Sequence, residues 1–443
     1  VVKAKLWKKK RGKYLAILEE IVTPSPLRIQ PRCIHFGVCG GCRWQNLPYP
    51  EQLRLKQEKV LECFKDLLTP DVDIRPPIPC SPLWGYRNKM EFSFSRDALN
   101  RKFLGLIMDS SKGKVLNLTE CHLVSPWFME ALRTTRTWWD ETTLDAYHPH
   151  KNTGALRTLT LREGKRTGDR LVMLTVSGNP DFAIHKKDLE SFVAFLRDTI
   201  EPTDPNANLS IFLRIQQVAK GMSTNFYEML LYGPDHFREH MDVAIDSTKE
   251  PKHLTFEISP TAFFQPNTDR AEQLYSLALQ MIGIDKNSVV YDLYCGTGTL
   301  GICAASSAKQ VIGIDLSAES VLNARTNATL NGMSNVTILS GAVRHLLSQI
   351  KEEKKYPLPD IIVLDPPRPG LETEAIEGVL GLRAKKILYI SCNPVTQAVN
   401  IAELVQGGYR IVAMQCIDQF AHTPHIENFV ALERVDGTPE ANA

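Results

Sequence analysis

One cysteine and one glutamate near the carboxyl end of the chain have the residue types needed for covalent catalysis. Cys392 follows the apolar run 387–391, and Glu427 stands just before another apolar run at 428–434. A cysteine after a strand is more often a packed core residue than a nucleophile. Here, however, Cys392 falls at the carboxyl end of a predicted strand, and we expect Glu427 at the same edge of the sheet. A thiolate there can attack an electron-poor carbon, and a carboxylate can accept a proton in a later step.

A glycine-rich turn forms the second group of residues with a chemical role. Residues 292–301 read DLYCGTGTLG, which contains G-x-G-x-x-G, and Asp315 ends the next predicted strand. This arrangement binds dinucleotides, and it serves S-adenosylmethionine equally, because both ligands need a close backbone approach and an acid for the ribose. Asp292 favours the methyl donor, since a carboxylate there would repel a pyrophosphate but tolerates a cationic sulfonium. Asp365, at the end of the fourth strand, favours it too; NAD-type binding and a ligand-free turn are the weaker alternatives.

Three cysteines close together indicate a metal centre. They have the spacing C-x5-C-x2-C, at Cys33, Cys39 and Cys42, and the glycines between them free the backbone to wrap around one centre. Zinc sites usually carry two C-x2-C pairs, so a single pair favours an iron–sulfur cluster while leaving zinc and three free thiols open. A fourth thiolate is needed, and the candidates are Cys63, Cys80 and Cys121.

The distribution of charge indicates a nucleic-acid partner. The chain has 443 residues, of which 43% are apolar and 23% charged, and its formal net charge is only +2. Residues 1–60 nevertheless hold thirteen Lys or Arg against four Glu, a net charge of +9, so the remainder sums to −7. A basic start with alternating apolar residues is typical of a β ribbon that contacts phosphates. No apolar run approaches the roughly 18 residues of a membrane span, and we expect a cytoplasmic monomer.

The elements that must position these residues fall into distinct regions. Apolar periodicity predicts a helix over 50–69, followed by a proline-rich connector. Short β-type runs and a helix over 186–200 predict a mixed α/β region from 86 to 235. From about residue 286 strands alternate with helices, which indicates an α/β fold with an open, mostly parallel, doubly wound sheet. Such a sheet binds its ligands at the carboxyl ends of its strands.

A nucleophilic cysteine, a carboxylate and a methyl donor together point to one reaction. Carbon 5 of uracil is too weakly nucleophilic to take a methyl group directly, but a thiolate that adds to carbon 6 produces an enolate that can. A base must then remove the carbon-5 proton so that the thiolate leaves. The target base must also leave its stack to enter a dry pocket. Cys392 and Glu427 are the minimum set for this cycle.

On these motifs the sequence resembles the RNA uracil-5-methyltransferases, most closely the iron–sulfur 23S ribosomal RNA enzymes of bacteria. The resemblance covers roughly residues 20–434 and implies Cys392 as nucleophile and Glu427 as proton acceptor. Its motifs are the cysteine triplet with Cys121, FFQPN at 263–267, the turn at 292–301, DPPR at 365–368, SCNP at 391–394 and HIE at 425–427. The implied ligands of a [4Fe–4S] cluster are Cys33, Cys39, Cys42 and Cys121. The implied contacts to S-adenosylmethionine are Gln265, Tyr294, Thr299, Asp315 and Asp365.

The resemblance also implies a division into domains. Residues 1–30 correspond to the last part of an RNA-binding β-barrel that usually opens family members. Residues 31–260 form a mixed α/β iron–sulfur and RNA-binding region, whose helix at 50–69 packs on the catalytic domain. Residues 261–443 form the Rossmann-like methyltransferase domain with a doubly wound mixed sheet. The family commonly offers a polar side chain to the adenine near Gly341, and this sequence does not.

The implied partner is RNA, with 23S ribosomal RNA as the expected target. A transfer RNA enzyme of the same mechanism stays open, because the two groups share their catalytic core, and so does a non-catalytic RNA-binding assembly factor. A radical S-adenosylmethionine enzyme is disfavoured, because it would carry C-x3-C-x2-C. A base-amino methyltransferase would need an aromatic residue where Arg368 stands, and it has no use for Cys392.

Overall fold

A computed structural model of the chain describes residues 1–10, 12–111, 113–218, 223–246 and 248–435. The described amino-terminal residues form a hairpin of β1 (Val2–Lys10) and β2 (Lys13–Ile21), whose strands pair only with each other. Its apolar residues, including Leu6 and Trp7, are exposed. The predicted ribbon is therefore present, whereas a closed barrel is not seen among the described residues.

Helix α1 (Tyr49–Phe64) is shorter than the predicted helix at 50–69. The amides of Leu67 and Leu68 both bond to the carbonyl of Phe64, so a turn replaces the regular helical pattern before Pro70. The two-residue strand β3 (Asp73–Ile74) follows. Val60 and Phe64 are fully buried in the same apolar cluster as the carboxyl-terminal sheet, and α1 contacts that sheet's outer layer.

A six-stranded sheet makes the centre of the chain. Its spatial order is β5–β4–β6–β7–β8–β9, and all neighbours are antiparallel except β7 and β8, which a helix joins as a crossover. Two helices cover one face, where Trp138 and Trp139 are almost fully buried. The elements are β4 (Lys89–Arg96), β5 (Lys102–Gly105), α2 (Pro126–Asp140), β6 (Leu156–Glu163), β7 (Arg170–Ser177), α3 (Lys186–Ile200), β8 (Leu209–Gln217) and β9 (Asn225–Tyr232).

An antiparallel hairpin connects this sheet to the carboxyl-terminal half. It consists of β10 (Phe237–Val243) and β11 (Lys252–Ile258), and its inward residues pack on α4 (Thr268–Ile282). The side chain of Asn267 caps α4 by accepting a hydrogen bond from the amide of Arg270 at 3.3 Å. The segment before α4 contains the FFQPN sequence, so the cap fixes the end of that motif.

The carboxyl-terminal half is the predicted doubly wound sheet. Its spatial order is β14–β13–β12–β15–β16–β18–β17–β3, with β12 to β16 parallel and β18 antiparallel to both neighbours. Apolar strands bury both faces under helices, as a parallel sheet requires. The elements are β12 (Val289–Leu293), α5 (Thr299–Ala305), β13 (Gln310–Asp315), α6 (Ala318–Leu330), β14 (Val336–Ser340), α7 (Val343–Glu353), β15 (Ile361–Leu364), α8 (Thr373–Leu382), β16 (Lys386–Ser391), α9 (Pro394–Gln406), β17 (Tyr409–Ile417) and β18 (Glu427–Arg434).

The family fold expected from the sequence is confirmed by this Rossmann-like sheet. The central region adds β3 to its far edge, where β3 pairs in parallel with β17. Among the residues that the structure describes, no helix combines the length and the apolar character that crossing a bilayer demands.

The close approach of α5 to β12 depends on Gly301. A Cβ atom added there would lie 2.8 Å from Oδ2 of Asp292 and 3.2 Å from Val311. We predict that Gly301→Ala lowers the free energy of unfolding by about 1–3 kcal/mol, because the packed layer must shift to admit a methyl group. Denaturant unfolding measures this change.

Gly381, in α8, provides the matched control. A Cβ atom added there meets only the end of the Lys351 side chain, at 3.6 Å. Gly381→Ala should therefore keep or raise the stability, by up to about 1 kcal/mol, because alanine suits a helix better than glycine. Equal losses in both variants would contradict the packing argument.

Candidate active site

A cavity of about 1330 Å³ opens at the carboxyl ends of the parallel strands. The central region supplies its opposite wall, which includes Gly40, Arg43 and Arg87. All seven catalytic and methyl-donor residues expected from the sequence line it: Gln265, Tyr294, Thr299, Asp315, Asp365, Cys392 and Glu427. The cavity is large enough for a donor molecule and a nucleotide side by side.

The carboxylate of Asp315 organises the glycine-rich turn. Its Oδ2 accepts a hydrogen bond from the amide of Gly296 at 2.9 Å, and its Oδ1 accepts one from the amide of Ser317 at 2.8 Å. A carboxylate has about four lone-pair positions, so acceptor capacity remains for two ribose hydroxyls. The turn and the acid are thus fixed relative to each other before any ligand binds.

Two further acids of the cavity sit in a desolvated position. Burial raises the pKa of Asp292 to about 8 and that of Asp365 to about 7. Asp292 is partly compensated by the amide of Gly301, which donates to its Oδ2 at 2.8 Å. Because desolvation disfavours their anions, a cationic ligand is the partner that would stabilise both carboxylates.

The segment that carries Gln265 is held by the central region. Asn88 donates its side-chain amide to the carbonyl of Gln265 at 2.9 Å, and its backbone amide bonds to Pro266. The buried guanidinium of Arg162 donates to three carbonyls immediately upstream, at Ser259, Pro260 and Ala262. Asn88, directly before β4, and Arg162, in β6, therefore fix the loop that brings Gln265 to the cavity.

Tyr294 and Thr299 stand at the two ends of the turn. Tyr294 has a φ of 66°, an unusual value for a tyrosine, directly after β12. Thr299 opens α5, and its hydroxyl lies 2.8 Å from that of Thr297. Both residues line the cavity, and burial raises the pKa of Tyr294 to about 12.

The nucleophile and the base candidates are neighbours because of strand pairing. Ser391 at the end of β16 pairs with Asn428 in β18, so Cys392 and Glu427 are the next positions outward on adjacent strands. Burial raises the pKa of the Cys392 thiol, and the charge of Glu427 raises it further. Burial likewise holds the pKa of Glu427 well above its usual range, and Asp365 adds to that effect.

Arg368 is the cation that opposes these shifts. Its charge and its hydrogen bond to the Cys392 thiol lower that thiol's pKa, and its charge lowers the pKa of Glu427. Its backbone carbonyl accepts hydrogen bonds from Asn393 at 3.0 Å and from Thr396 at 3.1 Å. The D-P-P-R segment is thereby tied to the start of α9, next to Cys392.

The cysteine triplet folds against the segment that contains Cys121. The amide of Ile34 donates to Glu120 at 2.8 Å, and His35 bonds to Thr119 at 2.9 Å. Burial raises the pKa of Cys121 to about 12, and the charges of Cys42, Cys39 and Cys33 each raise it further.

Of the two other candidates for the fourth thiolate, Cys63 lies elsewhere, and Cys80 is buried in an apolar cluster on which Cys42 and Cys121 also pack. The charged neighbours that act on Cys63 are Lys59 and Glu62, and those that act on Cys80 are Asp418, Arg270 and Lys56. Of the three candidates, only Cys121 has a thiol pKa that the charges of the triplet cysteines raise.

The four thiols have the chemistry of a metal centre without the geometry of a single-ion site. Within the described residues, no three His, Cys, Asp or Glu side chains converge tightly enough to hold a single metal ion. A single zinc ion needs ligands at about 2.3 Å from one point, and the thiols are not arranged that way. They are nevertheless near enough for mutual electrostatic effects, and all four are free. Thiolates are the donor type that iron–sulfur clusters take, and among the described residues the four thiols are neighbours without forming an assembled metal site.

Comparison with known proteins identifies the family. The sequence profile described as tRNA (Uracil-5-)-methyltransferase matches residues 234–435. An RNA methyltransferase of Protochlamydia amoebophila is 53% identical over 431 residues, which cover 97% of both chains. The chain belongs to the RNA (uracil-5-)-methyltransferase family. It is thus an RNA methyltransferase that uses S-adenosylmethionine.

Other relatives agree with this assignment. An RNA methyltransferase of Clostridium tetani is 34% identical, over 96% of this chain and 88% of its own. The crystal structure of a Pyrococcus abyssi tRNA (uracil-54, C5)-methyltransferase in complex with S-adenosyl-L-homocysteine has the same fold. It superposes with a TM-score of 0.69 at 22% identity and covers 97% of this chain and 91% of that one.

The fold adds to what the sequence indicates for two cavity residues of this RNA methyltransferase. Arg368 belongs to the DPPR motif, but its proximity to the Cys392 thiol follows only from the fold. Asp292 was read as an acid near the turn, and the structure places it in the cavity. The signal for Asp292 was its position four residues before the first glycine; Arg368 had no comparable local signal.

The raised pKa values predict how methyl-donor binding depends on pH. Asp365 and Asp292 ionise near pH 7 and 8 in the free enzyme, so the cavity gains negative charge between about pH 6 and 9. S-adenosylmethionine carries a sulfonium cation that S-adenosylhomocysteine lacks. We expect the affinity ratio of the two, measured by calorimetry, to rise about five- to tenfold over this interval in favour of the methionine form.

Asp365→Asn supplies the control for this measurement. This substitution removes the carboxyl group with the lower pKa. The ratio of the two ligand affinities should therefore change less in the variant than in the unmodified enzyme, and the change should occur at higher pH. A ratio that stays constant from pH 6 to 9 in the unmodified enzyme would contradict the electrostatic role of the two acids.

Proposed function

We propose that this enzyme methylates carbon 5 of a specific uridine in 23S ribosomal RNA through a covalent adduct between Cys392 and carbon 6 of the base. The observation that carries the proposal is the pairing of β16 with β18, which sets Cys392 beside Glu427 in one cavity with the methyl-donor residues. S-adenosylmethionine, when bound, supplies the methyl group. Gln265, Tyr294, Thr299, Asp315 and Asp365 would hold it.

The first step belongs to Cys392. Its Sγ forms a bond to carbon 6 of the uracil, which moves an electron pair towards carbon 5 and makes that carbon nucleophilic. Arg368 assists, because its cation and hydrogen bond favour the thiolate against the burial that opposes it.

The last step belongs to Glu427. Once carbon 5 carries the methyl group, its remaining proton passes to Glu427, the carbon 5–carbon 6 double bond re-forms, and the Cys392 thiolate leaves. Burial raises the affinity of Glu427 for a proton, which makes it a stronger base when ionised. Arg368 sustains the ionised form, since its charge lowers the pKa of the same carboxyl.

The RNA must deliver an extruded nucleotide into the cavity. Arg43 and Arg87 line the cavity wall opposite the catalytic residues, where they suit the phosphates that flank a flipped base. The exposed hairpin of β1 and β2 adds a basic surface at the start of the chain. We place the enzyme in the cytoplasm as a monomer, in keeping with ten free thiols.

The four-thiol group supports a ribosomal target. The likeness to the 23S ribosomal RNA enzymes depends on these cysteines, and Cys33, Cys39, Cys42 and Cys121 would ligate a [4Fe–4S] cluster. The alternative is a transfer RNA target with the same mechanism, which the names of the family profile and of the Pyrococcus abyssi protein favour. A non-catalytic assembly factor would bind RNA without turnover.

Two substitutions test the covalent mechanism on 23S ribosomal RNA and transfer RNA side by side. Cys392→Ala should abolish methylation, because no other group activates carbon 5. Glu427→Gln should transfer the methyl group yet slow release of the RNA by about 10²–10⁴-fold, the usual contribution of a general base. A labelled methyl group and a denaturing gel follow both steps, and mapping the modified uridine identifies the target.

Each outcome is decisive for one part of the proposal. Methylation by Cys392→Ala would refute the covalent adduct. Prompt release by Glu427→Gln would refute Glu427 as the base. Methylation of transfer RNA alone would replace the ribosomal target, and binding without turnover would favour the assembly factor.

The cluster assignment has its own test. Anaerobic purification should give a brown protein with about four irons per chain. Cys121→Ser should lose this iron, whereas Cys63→Ser should retain it, since Cys63 stands apart from the group. Metal content by mass spectrometry and visible absorbance give the result, and stoichiometric zinc would contradict the assignment.

A further inference from the structure

The loop at 418–426 joins β17 to β18 and ends directly before Glu427. Ile417 pairs with Glu427 in the ladder, so the two ends of the loop lie side by side. One side of the loop, at Phe420, Thr423 and His425, lines the active-site cavity. The strand ladders set the register of Glu427, and whatever holds the other side of the loop fixes the approach of the chain to it.

A buried ion pair holds that other side. Nζ of Lys56, in α1, donates to Oδ1 of Asp418 at 2.7 Å and to the carbonyl of Phe420 at 3.0 Å, and both charged side chains are fully buried. Oδ2 of Asp418 accepts a hydrogen bond from the hydroxyl of Tyr49 at 3.0 Å. One lysine thus binds the first and third residues of the loop.

The middle of the loop is fixed by the same helix and by the cysteine-rich segment. His422 has a φ of 67°, and its amide donates to Oε1 of Gln52 at 2.8 Å. Its carbonyl accepts hydrogen bonds from the amides of Arg43 and Trp44, each at 3.0 Å. Its ring stacks on Trp84 at 3.9 Å. An unfavourable backbone conformation is kept only when its surroundings enforce it, as they do here.

We propose that Lys56 is a positioning residue for the proton-removal step: through Asp418 and Phe420 it fixes the loop that sets the carboxylate of Glu427 against the target base. The inference rests on the proposed role of Glu427. Cys392 has separate supports, because its strand pairs with β15 and the next residue, Asn393, caps α9. Loss of Lys56 should therefore disturb the loop before Glu427 more than the segment that carries Cys392.

We expect loss of Lys56 to slow release of the RNA while leaving methyl transfer nearly unchanged. Lys56→Met should methylate RNA within about threefold of the unmodified enzyme in a single turnover and should bind S-adenosylmethionine normally. Its covalent adduct should persist at least ten times longer on a denaturing gel, approaching Glu427→Gln. Lys65→Met, at the exposed end of the same helix, is the matched control and should show a short-lived adduct.

A merely structural role gives a different result. Methyl transfer and release would then fall together, in proportion to the folded fraction measured by thermal denaturation, and no adduct would accumulate. That outcome overturns the proposal, and so does an unchanged adduct lifetime in folded Lys56→Met. Because Lys56→Met leaves a buried carboxylate without its partner, Lys56→Met with Asp418→Asn is assayed in parallel.

The double variant should fold more stably and show the same prolonged adduct. If neither variant folds, the pair maintains the fold only, and the positioning role is refuted. If Glu427→Gln itself releases RNA promptly, the proposed role of Glu427 fails. If the adduct is instead short-lived in Lys56→Met and long-lived in Glu427→Gln, only the positioning role of Lys56 fails.

Discussion

The antiparallel register between β16 and β18 is the constraint on which the active site depends. Ser391 faces Asn428, so the residues one step beyond, Cys392 and Glu427, meet at the edge of the sheet. A shift of one residue would turn Glu427 to the opposite face and separate the two groups. The apolar residues of β18 are buried against both layers of helices, which makes such a shift costly. The hydrophobic pattern of one strand therefore fixes the chemistry at its start.

The same edge of the sheet concentrates carboxyl groups that are buried and therefore poorly hydrated. Asp292, Asp365 and Glu427 all have pKa values raised by burial, which means that ionising them opposes folding. Each shift contributes stability that is present at low pH and lost as the pH rises through the raised pKa. A cationic donor would stabilise two of these anions, and the charge of Arg368 favours the third.

Much of the catalytic half could be predicted from the sequence, because residues close together in the chain determine its strands and turns. Apolar runs followed by glycine or by polar residues define β12, β13, β15 and β16, and ligands gather at their carboxyl ends in any such sheet. Resemblance to a family supplied what spacing alone left open, such as the role of Gln265. The choice of Cys121 over Cys80 was not local, since it depends on how residues 33–42 fold back on a segment about eighty positions later.

The contacts between the halves of the chain could not be predicted from the sequence either, because they join residues that are far apart in the chain. Lys56 and Asp418 are 362 positions apart, and a buried lysine reads in the sequence as one more polar residue of an amphipathic helix. Such a pair adds little net stability compared with an apolar pair of the same shape, because both charges lose their hydration. What the pair supplies is precision: charged donors and acceptors fix a loop in one arrangement, whereas apolar packing would tolerate several. The amino-terminal region is then part of the active site's framework and not only a surface for RNA.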